Sequence, residues 1–346
     1  MIAGPIDEPV GRIAVLGSGA NGSGIGADLV IAGHDVTFIE QWPAHVEAIR
    51  EKGLRIEMPE ETVITPVTVH HLCEVAELRE PFDIVFVVVK AYDTRWACEL
   101  IRPLLTENSL VVGVQNGMSI DDIVDVVGAP RAVGAVIEIS ANMFDPGVVE
   151  RQSPPERSWF AVGTLPGGPE SQLEHVAKVL RSAGTVEISD DIRASKWMKL
   201  VVNAAELVPS AILNLPLSEA TQTPGMRDFM IETGREAMDA AILSGVQPRS
   251  IFGMPFDASE NPHVFVERLF DAVIDGYTLP STQTTVLQDW RKGRRSEVDQ
   301  INGLVLHEHH RAGRRAPRNE RVVDLAHRIE AGDLEASPAN IDMLLA

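Results

Sequence analysis

Cysteine and positive charge are scarce in this chain, and long apolar runs are missing. Of 346 residues only two are cysteines, Cys73 and Cys98. They are neither closely spaced nor accompanied by histidine pairs, which excludes a disulfide framework and gives no zinc signature. Lys and Arg total 30 against 50 Asp and Glu, a net charge of −20. A surface this acidic repels phosphate backbones and anionic lipid, which argues against nucleic acid and membrane surfaces as partners. An anionic ligand has to be drawn in by a local cluster of donors. No stretch approaches the roughly 18 apolar residues of a membrane-spanning helix. The N-terminal MIAGPIDEPVG lacks a charged-then-apolar leader pattern, so a cytoplasmic protein is expected. Internal repeats and low-complexity segments are absent too.

What is present is an ordinary globular composition, 45% hydrophobic and 23% charged, with enough apolar mass for a sizeable core. The length predicts two domains. From Arg12 the chain reads RIAVLGSGANGSGIGADLVIAGHDVTFIE. IAVLG is a short apolar strand, ADLVIAG an amphipathic helix closing at Gly33, and HDVTFIE a second strand. FDIVFVVVK (82–90) and SLVVGVQNG (109–117) are continuous β-branched runs, suited to strands buried on both faces of a parallel sheet. This alternation predicts a doubly wound α/β domain, a Rossmann fold with a mostly parallel sheet. MFDPGVVERQSPPERS (143–158), with three prolines, reads as a surface excursion.

Gly17, Gly19 and Gly22 form G-x-G-x-x-G between the first strand and the first helix. The first glycine allows the tight turn, the second lets a pyrophosphate approach, and the third permits close helix–strand packing. Ala20 and Asn21 belong to this turn, and the N-terminus of the helix that follows offers free N–H groups to the phosphates. Glu40 ends the second strand, where a carboxylate accepts from the ribose hydroxyls and repels a 2′-phosphate. No Lys or Arg follows until Arg50. The expected cofactor is therefore NAD, with NADP also possible. Two readings of Lys90 stand: a residue near the adenine side of the cofactor, and a strand-end lysine reaching for solvent.

From about residue 191 the pattern turns helical, through DIRASKWMKLVVNAAEL, MRDFMIETGREAMDAAILSG, HVFVERLFDAVIDG, TTVLQDWRKGRRSEVDQINGLVLHEHHRAG and NERVVDLAHRIEAG. Several of these close on glycine, as helix C-termini do. The expected domains are 1–190, binding the dinucleotide, and 191–346, all-α, serving substrate binding and dimerisation. HEHH (307–310) invites a metal reading. Adjacent helical residues point in different directions, however, and the run is expected to be a solvated helix end with no metal. In WMKLVVNAAELV (197–208) a mostly apolar helix carries Lys199, Asn203 and Glu206 on one face.

At these residues the chain resembles the ketopantoate reductase family. GSGANG, VVVKAYDT (87–94), VQNGM (114–118), KWMKLVVNA (196–204) and TTVLQDWRKGRRSEVDQINGLV (284–305) carry the resemblance, which covers nearly the whole length. It implies a Rossmann domain followed by a helical one, with the active site in the cleft between them. It also implies Lys199 as general acid and Glu297 as the glutamate of the E-x-D-x-I-N-G segment. Asn116 would line the nicotinamide and substrate region, and Asn203 would contact substrate. The polar stripe would then face the cleft. The competing reading is that Lys199 pairs with Glu206 for stability alone.

Three departures leave ketopantoate open as the substrate. Leu207 stands where a second asparagine is common, with Glu206 just before it. Thr284 and Thr285 replace a usual serine pair, and Glu40 stands where many members carry arginine. The implied substrate is a small ketone or 2-oxo acid, or the corresponding alcohol. Two alternatives are a β-hydroxyacid dehydrogenase, whose usual GxxGxGxMG turn is missing, and a nucleotide sensor without chemistry.

Overall fold

The computed structural model describes residues 11–278, 280 and 282–346. All but the last residue of the segment read for a leader lies outside the described residues. The chain divides into two compact units. One runs to Gln115 and resumes over Ser119–Ile192; the other comprises Asn116–Met118 and Arg193–Ala346.

In the first unit the strands are β1 (Arg12–Leu16), β2 (Asp35–Glu40), β3 (Leu54–Glu57), β4 (Thr62–Thr65), β5 (Thr68–His71) and β6 (Phe82–Val87). They continue with β7 (Leu105–Gly113), β8 (Ala132–Glu138), β9 (Ala141–Asn142), β10 (Val148–Arg151), β11 (Trp159–Gly163) and β12 (Thr185–Ile188). Helices α1 (Ala20–Ile31), α2 (Pro43–Lys52), α3 (Thr94–Ile101), α4 (Ile120–Val127) and α5 (Leu173–Leu180) lie between them. The main sheet runs β12-β11-β8-β7-β6-β1-β2-β5. Only its β8–β11 pair is antiparallel.

Side chains alternate across a strand, and here both faces are covered. Ile13 and Val15 of β1 join Ile25 and Leu29 of α1 and Val176 of α5 in one apolar cluster. Ala14 and Leu16 join Ala97 of α3 and Ile123 of α4 in the other. That is why the strands read as continuous apolar runs rather than alternating ones. Leu16 pairs with Ile39 of β2 and Val87 of β6, so three carboxyl ends finish level. Chain order reverses at β1, the position where open α/β sheets take ligands.

The 143–158 segment is not a surface excursion. It forms β10, which pairs with β3 and β9 in a second sheet. Met143, Val149, Arg151 and Ser158 are buried in it. The prolines and charges suggested a loop because Arg151 finds its partner in α1, far away in sequence.

The second unit is built from α6 (Ile192–Ile212), α7 (Leu217–Gln222), α8 (Met226–Leu243), α9 (Pro262–Tyr277), α10 (Thr285–Arg291), α11 (Asn302–Arg311), α12 (Pro317–Glu330) and α13 (Ile341–Leu345). α8 packs against α9, α11 and α12. α6 buries Trp197, Met198, Val201, Val202, Ala205 and Val208 on several sides, the signature of a helix inside a core. The helical pattern read continuously over 284–313 breaks between α10 and α11. Gly293 takes a left-handed φ of 65° after the α10 C-cap, and an irregular turn then carries Glu297. Among the described residues, no helix is long and apolar enough to cross a membrane.

Candidate active site

In the first unit, the glycine turn follows β1 directly, with Gly17 N–H bonded to Ile39 O (2.9 Å). Gly17 has φ +96°, and a Cβ there would lie 2.8 Å from the Val89 backbone nitrogen. At Gly22 a Cβ would meet Gly17 O at 2.0 Å. At Gly19 it would meet no atom within 4 Å. Two glycines are thus demanded by the protein's own packing, while the middle one borders open space. Gly19 is also the N-cap of α1 and has no side chain to satisfy the first-turn N–H groups of Ala20, Asn21 and Gly22. The Asn21 Oδ1 atom is buried without a hydrogen-bond partner. The uncapped N–H groups and the open space at Gly19, not the Asn21 oxygen, fit a dinucleotide pyrophosphate. The arrangement predicts a split between two variants. Gly19→Ala should keep Tm within about 2 °C, because nothing is displaced, yet weaken cofactor binding about tenfold or more. Gly22→Ala should lower both. Equal Tm losses, read by thermal melts, would refute this division of roles.

Glu40 is only 5% exposed. Its carboxylate accepts from Ser18 N (2.6 Å), Ser18 Oγ (3.0 Å) and Trp42 N (2.8 Å), bracing the glycine turn from behind. Behind it lies His45, whose Nδ1 accepts the Gly147 N–H (2.8 Å). That bond places the ring proton on Nε2, 3.3 Å from Ser23 Oγ. Burial holds the imidazole below its usual pKa, with Glu40 opposing, so His45 is a neutral strut. Lys90, half-buried, is the N-cap of the short turn Ala91–Asp93 that follows β6. Gln115 Nε2 donates to Val89 O (3.0 Å) and Thr94 Oγ1 (2.7 Å), holding that turn.

The second unit gathers most of the remaining candidates. Lys199, Asn203 and Glu206 lie on one face of α6, and all three are buried. Asn203 Nδ2 donates to Asn116 Oδ1 (3.0 Å). Gly117, at φ +69°, brings this loop so close that a Cβ would touch Gln300 O at 3.0 Å. The turn holding Glu297 and Gln300 is pinned to α6 by Asn302, whose Nδ2 donates to Ala204 O (3.0 Å) and Asn319 Oδ1 (2.9 Å). Glu297 itself is buried. Thr285 begins α10, its Oγ1 buried without a partner. Its neighbour Thr284 donates to Leu207 O (2.9 Å). Pro209, inside the helix, has no N–H to give the carbonyl four residues back. Ser210 Oγ donates to Glu206 O (2.7 Å) on the same stretch. Three segments distant in sequence, 116–118, 199–206 and 297–302, therefore converge within this unit.

Two members of this group escaped the sequence reading. Lys196 is buried three residues before Lys199, a spacing that extends the same stripe. Phe252 lies with its ring centroid 5.4 Å from the Lys199 ammonium. No pattern in its loop singles it out. HEHH is not simply a solvated end: His309 is buried, its Nε2 2.8 Å from Glu236 O. Among the described residues, no group of three or more His, Cys, Asp or Glu is placed to hold a metal ion.

Residues 13–164 match the family model described as ketopantoate reductase PanE/ApbA, and residues 191–330 match that of its C-terminal part. The 2-dehydropantoate 2-reductase of Archaeoglobus fulgidus is 29% identical over 93% of this chain and 99% of its own length. That of Pyrococcus horikoshii is 27% identical, covering 85% of this chain and 89% of its own. Among solved structures, a PanE/ApbA family ketopantoate reductase from Ralstonia eutropha superposes with a TM-score of 0.77 at 26% identity, covering 93% of this chain and 99% of that one. A ternary complex of D-mandelate dehydrogenase with NADH and anilino(oxo)acetate shares the fold, with a TM-score of 0.80 at 23% identity over 93% of this chain and 99% of that one.

Proposed function

Because the chain belongs to the ketopantoate reductase family, we propose that it transfers hydride between NAD(P)H and the carbonyl of a ketone or 2-oxo acid, or in reverse from the alcohol. The observation that carries this reading is the buried Lys199, one helical turn before an asparagine that is itself bonded to Asn116. A nicotinamide dinucleotide bound at the glycine turn supplies or receives the hydride. Gly17, Gly19, Ala20, Asn21 and Gly22 would hold its pyrophosphate, and Lys90 would flank its adenosine end.

As the carbonyl carbon gains hydride, its oxygen becomes an alkoxide and needs a proton at once. Lys199 Nζ gives that proton, and its charge stabilises the oxygen beforehand. Glu297 and Glu206 oppose the tendency of burial to neutralise the amine. The Asn203–Asn116 bond leaves Asn203 Oδ1 to accept and Asn116 Nδ2 to donate towards substrate, with Thr285 Oγ1 as a further polar contact. Leu207, where an asparagine is common in the family, favours a substrate more apolar than ketopantoate.

The test is a screen of 2-oxo acids and 2-hydroxy acids, followed at the nicotinamide absorbance in both directions with NADH and NADPH in parallel. Turnover with NADH preferred is expected, along with a kcat/KM for ketopantoate below the roughly 10⁴ M⁻¹s⁻¹ common for an enzyme's own substrate. Glu40→Gln should shrink the NADH preference by about tenfold, since the carboxylate that braces the glycine turn also supplies the negative charge that repels a 2′-phosphate. No turnover of any 2-oxo or 2-hydroxy acid, with cofactor bound, would favour a sensor instead.

A further inference from the structure

Phe252 adopts φ +57° and Gly253 φ +71°. Ile251 N donates to Met254 O (3.1 Å) and Met254 N to Ile251 O (2.8 Å). Two successive positive φ values closed by such a bond pair make a type I′ turn, whose first position normally takes Asn, Asp or Gly. A bulky aromatic at positive φ is an outlier that the surroundings have to hold in place. Here both flanks are anchored. Ile251 is buried, Ser250 Oγ accepts the Phe256 N–H (3.0 Å), and the Phe256 ring packs on Phe265 at 4.9 Å. Arg268 also donates to Pro255 O (3.3 Å). What the turn presents is the Phe252 ring, 5.4 Å from Lys199 Nζ and inside the range of a cation–π contact.

We infer that Phe252 is the positioning residue of Lys199: its ring covers the ammonium, keeps it protonated and fixes where it points. The inference rests on Lys199 being the proton donor. Burial alone drives a lysine towards the neutral amine, whereas an aromatic face favours the cation. The other charged groups on α6 are Arg193, Lys196 and Glu206; the segments bonded to it carry Asp289, Arg291, Arg294, Arg295, Glu297 and Asp299 among others, and Arg249 lies on the segment carrying Phe252. A substitution at Phe252 alters none of them.

In the reduction direction, kcat/KM falls at high pH as Lys199 loses its proton. Phe252→Leu keeps an apolar cover but loses the aromatic face, so that descending limb should move to lower pH by about half a unit. Phe252→Trp should leave the limb at or above its wild-type position. Phe252→Asn, which accepts the left-handed backbone, should hold Tm near wild type while kcat falls. Cofactor KM should be unchanged in all three. An unmoved limb in Phe252→Leu, with turnover abolished in Lys199→Ala, overturns this inference and leaves the role of Lys199 intact. Turnover retained in Lys199→Ala overturns both.

Discussion

Lys199→Ala should lower kcat about 100-fold or more, the loss typical of a positioned acid, while cofactor binding stays near wild type. Lys199 is 9% exposed on a helix buried on several sides. An ammonium kept in such surroundings is costly unless its neighbours favour it. The Phe252 ring centroid lies 5.4 Å from the ammonium, and Asn203 stands one helical turn on. Lys199→Arg should not rescue turnover, because a guanidinium does not release its proton near neutral pH. Comparing kcat with cofactor affinity measured by fluorescence titration separates chemistry from binding. A mutant with most of its turnover intact would remove Lys199 from the reaction.

Arg151→Ala should destabilise the protein by about 3–5 kcal/mol, the range for breaking a buried ion pair from one side. Arg151 is 1% exposed and donates to Ser153 O (2.8 Å), Gly24 O (3.4 Å), Ser158 Oγ (3.1 Å) and Ala183 O (3.1 Å) as well as to Asp28. It thereby ties α1, which begins at the glycine turn, to β10 and to the loop before β12. Burial pushes the Asp28 carboxyl up to about 6, and Arg151 pulls against that rise. A carboxyl raised in the folded state contributes stability below its unfolded pKa of 3.8, and that contribution is lost as pH rises through about 6. Without Arg151 the pKa climbs further, so the deficit of Arg151→Ala should be larger at pH 8 than at pH 5. Urea melts at the two pH values read this directly. A deficit under about 1 kcal/mol, or one that ignores pH, would show the pair to be incidental.

Sequence reasoning reached the elements whose signal is local. The strand–glycine turn–helix unit is written within 29 consecutive residues, Arg12 to Glu40, and Lys199 and Asn203 share a face by helical spacing alone. Elements whose partners lie far along the chain carry no such local signal. The 143–158 segment looked like a loop because Arg151 is charged, and only Asp28, 123 residues earlier, makes its burial tolerable. The single helical pattern over 284–313 concealed the turn that carries Glu297, because a glycine inside a periodic run does not declare its φ.

Periodicity and glycine spacing determined by themselves that this chain has a dinucleotide-type α/β unit followed by helices, since each of those patterns acts over a few residues. Tertiary structure decided the rest. It joined Asn116–Met118 to the helical unit, turned Glu40 inward to brace the glycine turn, and held Phe252 in a left-handed turn against Lys199. Each of these depends on what packs nearby from elsewhere in the chain, and burial, unlike spacing, belongs to no segment alone.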